Sequence, residues 1–116
     1  MANELSLSAI VSYTKGGAIV SRTTGTTQIT ISGTAIAQGV KSAATSAVSQ
    51  TVVAAPGYCY IKNLDATNYL ELGPDGTNWF VKLTAGQWAL FPISGTALYT
   101  RANTAVVDFE YIVFSL

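Results

Sequence analysis

The chain has 116 residues, with six basic and six acidic side chains, no histidine and one cysteine. That length houses one ordinary core rather than two, and a balanced charge leaves no net field to draw in nucleic acid or an anionic membrane. Charged residues make up 10% of the chain and hydrophobic residues 49%, so much of the surface must be Ser, Thr, Ala, Gly and exposed apolar side chains, a composition suited to burial against copies of itself or a larger assembly.

The first stretch, "NELSLSAIVSY", places Leu5, Leu7, Ala9, Val11 and Tyr13 on one parity and Glu4, Ser6, Ser8 and Ser12 on the other. This is the period of a half-buried strand. Its serines and early Glu4 fit neither a signal peptide nor a transit peptide, and no apolar run approaches the roughly 18 residues of a membrane helix. "TKGGA" supplies turn residues, after which "AIVSR" resumes as a strand. "TTQITIS" alternates again, with Ile29 and Ile31 on one face. Ser, Thr, Val and Gly break every helical window in the alanine-rich segment that follows, which reads as two strands near 35–41 and 47–54. Pro56-Gly57 then reads as a stop.

The second half alternates more clearly. "YCYIKN" sets Cys59 and Ile61 against Tyr58, Tyr60 and Lys62. "NLDATN" is a polar turn, "YLEL" points Leu70 and Leu72 inward, and "GPDG" makes a reversal whose Pro, Asp and Gly each suit turn geometry. "NWFVKL" returns with Trp79, Val81 and Leu83 on one parity and Phe80 and Lys82 on the other, with Trp79 at the strand end, placed to cap the sandwich. "TAGQ", "WALFP" and "ISGT" continue the alternation of turn and strand. "ISGTA" occurs at 31–35 and 93–97 as shared turn chemistry rather than a repeat. The last run, "AVVDFEYIVFSL", sets Val107, Phe109, Tyr111 and Val113 against Asp108, Glu110, Ile112 and Phe114, and so apolar a strand belongs inside a sheet. Nine to eleven short strands at this spacing predict an all-β, antiparallel, two-sheet β-sandwich of jelly-roll type. We expect one domain over 1–116, with residues 1–14 as an extended arm or edge strand able to add to a neighbour.

Without histidine, Ser–His and Cys–His nucleophile pairs and the commonest metal ligand are gone. Cys59, inside an apolar strand, reads as a core thiol of a protein folded in a reducing cytoplasm. Asp108 and Glu110 share a strand face about 7 Å apart, a spacing that resembles an inverting glycosidase pair. Such a pair needs opposite walls of a cleft, however, so solvated carboxylates partnered across a strand by Lys82 or Arg101 are expected instead. The Asn- and Asp-rich loops match no calcium-loop spacing and read as turn builders. We therefore expect no catalytic residue, no metal and no cofactor. If the apolar parity is the core, Tyr58, Tyr60 and Tyr69 line an outer surface together. With Phe80 and Arg101 they form a candidate protein interface, since Tyr, Trp and Arg dominate interface hot spots. A sugar-binding surface is the alternative.

The stretch "YCYIKNLDATNYLELGPDGTNWFVKLTAGQWALFPI" with "LYTRANTAVVDFEYIVFSL" resembles small β-sandwich structural proteins of tailed bacteriophage virions, similar to capsid decoration (cement) proteins. The resemblance covers residues 57–116, fits the opening more loosely and hardly touches 33–56. It implies a non-enzymatic protein on the outer capsid surface that binds the major capsid protein in many copies, as a homo-oligomer such as a trimer. From the charge balance and the short apolar runs we expect neither nucleic acid nor membrane as a partner. Similar sandwiches in phage tails and baseplates, including receptor-binding modules that recognise carbohydrate, are the alternative placement.

Overall fold

The computed structural model describes residues 4–31, 36–50, 56–93 and 98–115, which form twelve strands and no helix. The chain falls into two compact units, Met1–Ser32 and Gly33–Leu116.

The first unit holds two strand pairs. β1 (Leu5–Leu7) pairs antiparallel with β4 (Thr27–Ile29), and β2 (Ile10–Lys15) with β3 (Ala18–Thr23). The single expected strand over 4–13 is thus two. Ala9 N donates to Thr24 Oγ1 at 2.9 Å and Thr24 N to Ala9 O at 3.0 Å, which turns the chain between β1 and β2. Gly16 and Gly17 both have positive φ, 58° and 84°, the requirement of the tight two-residue turn whose twist matches a hairpin. The expectation of a half-buried strand fails for β2: every position of β2 and β3 is exposed, because each strand has only the other beside it and neither face is covered. The expected arm over 4–14 is paired within this unit, and residues 1–3 lie outside the described set.

The second unit is a two-sheet sandwich. Its strands are β5 (Ile36–Ala43), β6 (Val48–Ser49), β7 (Pro56–Asn63), β8 (Leu70–Gly73), β9 (Val81–Leu83), β10 (Trp88–Pro92), β11 (Tyr99–Ala102) and β12 (Val107–Ser115). One sheet runs β10-β7-β12-β5 and the other β6-β11-β8-β9. Each strand pairs antiparallel with its mirror partner in chain order: β5 with β12, β6 with β11, β7 with β10 and β8 with β9. The β12–β7 and β11–β8 pairings then join these hairpins laterally. A long hairpin rolled up in this way is the jelly roll. Here the two sheets are called the β12 sheet and the β8 sheet.

Alternation decides which side chains enter the core. Cys59, Ile61, Val107, Phe109 and Val113 from the β12 sheet meet Leu70, Leu72, Leu83 and Ala102 from the β8 sheet, all buried. The expected hairpin over 70–83 is present, with Leu70 opposite Leu83 and Leu72 opposite Val81. At its reversal Gly73 is obligatory, because a Cβ there would collide with the backbone carbonyl of Asn78. β12 lies inside its sheet, between β7 and β5. Pro56 does not stop the chain as expected but opens β7, opposite Ser115, where the register shifts. A strand's first residue is a place that tolerates a missing N–H. Residues 51–54 of the expected strand over 47–54, and most of both "ISGTA" copies, lie outside the described residues.

Asn63 ties the end of β7 to its surroundings from a fully buried position. Its Nδ2 donates to Leu83 O and Asn68 O, each at 2.9 Å, and its Oδ1 accepts from Asp65 N at 2.8 Å. All side-chain hydrogen-bonding capacity but one lone pair is therefore used, which is what a buried amide requires.

Candidate functional site

The outward face of the β12 sheet is built by the parity opposite the core. Its rows follow from the register: Pro92, Tyr58, Phe114 and Ile36; then Leu90, Tyr60, Ile112 and Gln38; then Trp88, Lys62, Glu110 and Val40. Most of these are apolar or aromatic, so both faces of this sheet are apolar while only one is covered by the β8 sheet. Ile36, Val40 and Trp88 are more than half exposed. Tyr60 sits near the middle, its ring 6.4 Å from that of Trp88, and its hydroxyl donates to Glu110 Oε1 at 2.8 Å. Partial burial, then the hydrogen bond and charge of Glu110, push the Tyr60 hydroxyl above its ordinary pKa.

Asp108 and Glu110 stand on this same wall. Ser42 Oγ donates to Asp108 Oδ1 at 2.6 Å, so each acid is held by a hydroxyl. The shallow depression of about 350 Å³ beside them is lined by Glu110 but not by a second acid among the described residues. A pair flanking a scissile bond from two sides is not what this geometry offers. Lys82 and Arg101, expected across a strand from these acids, belong to the other sheet.

There they form a separate outward face. Lys82, Glu71 and Arg101 lie side by side across β9, β8 and β11. Arg101 donates through Nη2 at 2.7 Å and Nε at 3.1 Å to Glu71 Oε1, and its guanidinium lies 4.4 Å from the Trp79 ring centroid. Lys82 Nζ lies 4.3 Å from the Tyr69 centroid. Trp79 thus serves the β8 sheet as a platform under Arg101. The expectation that Tyr58, Tyr60 and Tyr69 share one surface is corrected: the first two are on the β12 sheet and Tyr69 is on the β8 sheet.

Phe80, expected on the outer face beside Lys82, is 77% exposed and lines a cleft instead. This apolar cleft of about 580 Å³ opens between β8–β9 of one sheet and β10 of the other, with Leu72, Val81, Trp88 and Phe91 among its walls. Parity within single strands could not reveal it, since its two sides come from different sheets. The only advance signal was the density of apolar residues in "WALFPI".

The loops are built by a recurring "D-x-T-N". Asp65 Oδ2 accepts from Thr67 N at 2.9 Å and Asn68 N at 2.6 Å. Asp75 Oδ1 accepts from Thr77 N and Asn78 N, both at 2.8 Å. Those backbone donors lower both carboxyls, and Asp75, which also takes side-chain hydrogen bonds, falls to about 2. Their oxygens are thus engaged in turns, as expected of these loops. Among the described residues no group of three or more His, Cys, Asp or Glu side chains converges. Burial pushes the Cys59 thiol up to about 12, away from the thiolate that nucleophilic or metal chemistry needs.

A scan against protein-family models finds no match, and searches of curated proteins and of solved structures find none either.

Proposed function

We propose that this chain is a non-enzymatic structural protein of a bacteriophage virion, a decoration (cement) protein that binds the outer capsid in many copies and braces the major capsid protein. The observation that carries this reading is the uncovered outer face of the β12 sheet, and in particular its aromatic half, Tyr58, Tyr60, Trp88 and Leu90. An apolar face of that kind, with few charges at its centre, has the composition of an interface core. The low overall charge and the resemblance of residues 57–116 to such proteins support it further, and jelly rolls recur in capsid and lectin domains, a fold-level analogy.

The rival placement, a tail, baseplate or receptor-binding module that recognises carbohydrate, draws less support. One face of Tyr69 and one of Trp79 is already occupied by Lys82 and Arg101, which leaves less ring surface for stacking on a sugar. Quantifying the protein in purified virions separates the two: hundreds of copies indicate a shell component, and a handful a tail part. In a binding assay on undecorated capsids, Trp88→Ala with Leu90→Asp should abolish attachment. Unchanged attachment would reject the aromatic half as the docking surface. Glycan binding that Tyr69→Ala removes, with no affinity for capsids, would favour the rival.

A further inference from the structure

The two units leave surfaces of opposite character uncovered. In the first, the β2–β3 hairpin exposes all of its positions, Val11 at 57% and Tyr13 and Val20 each at 51%. An isolated two-stranded hairpin is marginal in water, so these apolar side chains call for a partner. One hairpin face, set by the register, carries Val11, Tyr13 and Lys15 from β2 with Ala18, Val20 and Arg22 from β3. Lys15 and Arg22 stand at its opposite ends, and residues 10–23 contain no acid.

In the second unit, the β5–β12 half of the outer face presents Ile36, Val40, Ile112 and Phe114, with Asp108 and Glu110 toward one end. Neither strand places a basic side chain on that face. Lys62 of β7 is the register neighbour of Glu110, yet the ion pair found among the described residues is Arg101 with Glu71. The two carboxylates are each held by a hydroxyl, from Ser42 and from Tyr60. An apolar row with a cation at each end therefore matches an apolar row with two anions at one end. Whichever way the hairpin lies along β5 and β12, one of its cations reaches the acidic end.

We propose that the β2–β3 hairpin of one copy docks through its Tyr13–Val20 face on the β5–β12 outer face of a second copy, with Lys15 or Arg22 paired to Asp108 and Glu110. This rests on the function proposed above only in taking the protein as a homo-oligomer, and it names the surfaces through which copies join. Each copy carries both surfaces, so the contact is head-to-tail and either closes into a ring or runs on as a filament. The aromatic half of the face, on β7 and β10, stays free for another protein.

Sedimentation equilibrium of the purified full chain tests this. The wild type should associate, and added salt should weaken it through screening. The charge reversals Lys15→Glu/Arg22→Glu and Asp108→Lys/Glu110→Lys should each weaken association at least about tenfold. The fourfold variant, with both surfaces reversed, should associate again. A monomeric wild type, undiminished association in either reversal, or a folded fourfold variant that stays monomeric would overturn the proposal. Zero-length carbodiimide coupling of mixed isotopically light and heavy chains of the conservative Arg22→Lys variant, which puts an amine at each end of the hairpin face, gives a second reading. An amine at position 15 or 22 should join to Asp108 or Glu110 between light and heavy copies, and the absence of any such link, or links confined to single copies, would overturn it as well. Virion copy number is measured separately. Association through these surfaces with no copies in virions would retire the function reading alone, and abundant virion copies of a monomeric chain would retire this one alone.

Discussion

Asn63 shows how one side chain can hold a fold's corner. Its three hydrogen bonds join β7, β9 and the loop after β7, and Asn63→Ala would leave the Leu83 and Asn68 carbonyls and the Asp65 amide without it. At roughly 1–3 kcal/mol for a buried group stripped of its partner, we expect a loss near 3 kcal/mol, measurable by urea unfolding. Cys59 gives the opposite case, a reactive group silenced by packing. A thiol held at about 12 inside the core should resist thiol reagents at pH 8 in the native protein and react fully in denaturant. Asp75 works at the surface. Its folded pKa of about 2 lies below the ordinary 3.8, so the stabilisation it supplies is complete above about pH 4 and disappears as pH falls toward 2. Asp75→Asn should flatten the fall of the melting temperature across that window.

At the scale of elements, Gly73 permits the β8–β9 hairpin to approach its own return strand. Gly73→Ala would drive a methyl into the Asn78 carbonyl, and overpacking of backbone by a methyl costs about 2–3 kcal/mol, so the melting temperature should drop while the exposed Asp75→Asn variant at neutral pH drops less. The strands that sequence alternation exposed best are those whose large side chains alternate for six or more residues. In β7 and β12 the core parity reads directly from Cys59, Ile61, Val107, Phe109 and Val113. β11 escaped notice because its inward residues, Thr100 and Ala102, are small and partly polar, so four residues carry no hydrophobic period. β9 is shorter than its alternation suggests, since Trp79 is drawn under Arg101 and Phe80 to the cleft. Tyr58 and Tyr60 were legible as outward-facing within one strand. That Tyr69 and Arg101 belong to the other sheet was not, because sheet membership is set by pairings between residues 30 or more apart, such as Arg101 with Glu71.

At the scale of the molecule, the all-β sandwich class follows from turn spacing and alternation, whereas the mirror-image pairing order does not, since every short strand could in principle pair with several others. That order has a consequence for synthesis. β12, the last of the described strands to be made, supplies the only bridge between β5 and β7 among the described residues. While a ribosome is still translating the residues before it, β5 has no neighbour in its sheet and the core lacks Val107, Phe109 and Val113. Long-range pairing of this kind closes slowly, so nascent chains arrested just short of residue 107 should be digested by protease as readily as an unstructured polypeptide. Those carried past residue 115 and clear of the exit tunnel should become resistant in one step. Completion of the sandwich is thereby tied to the synthesis of β12, and no half-built sandwich is offered to a neighbour as a finished one.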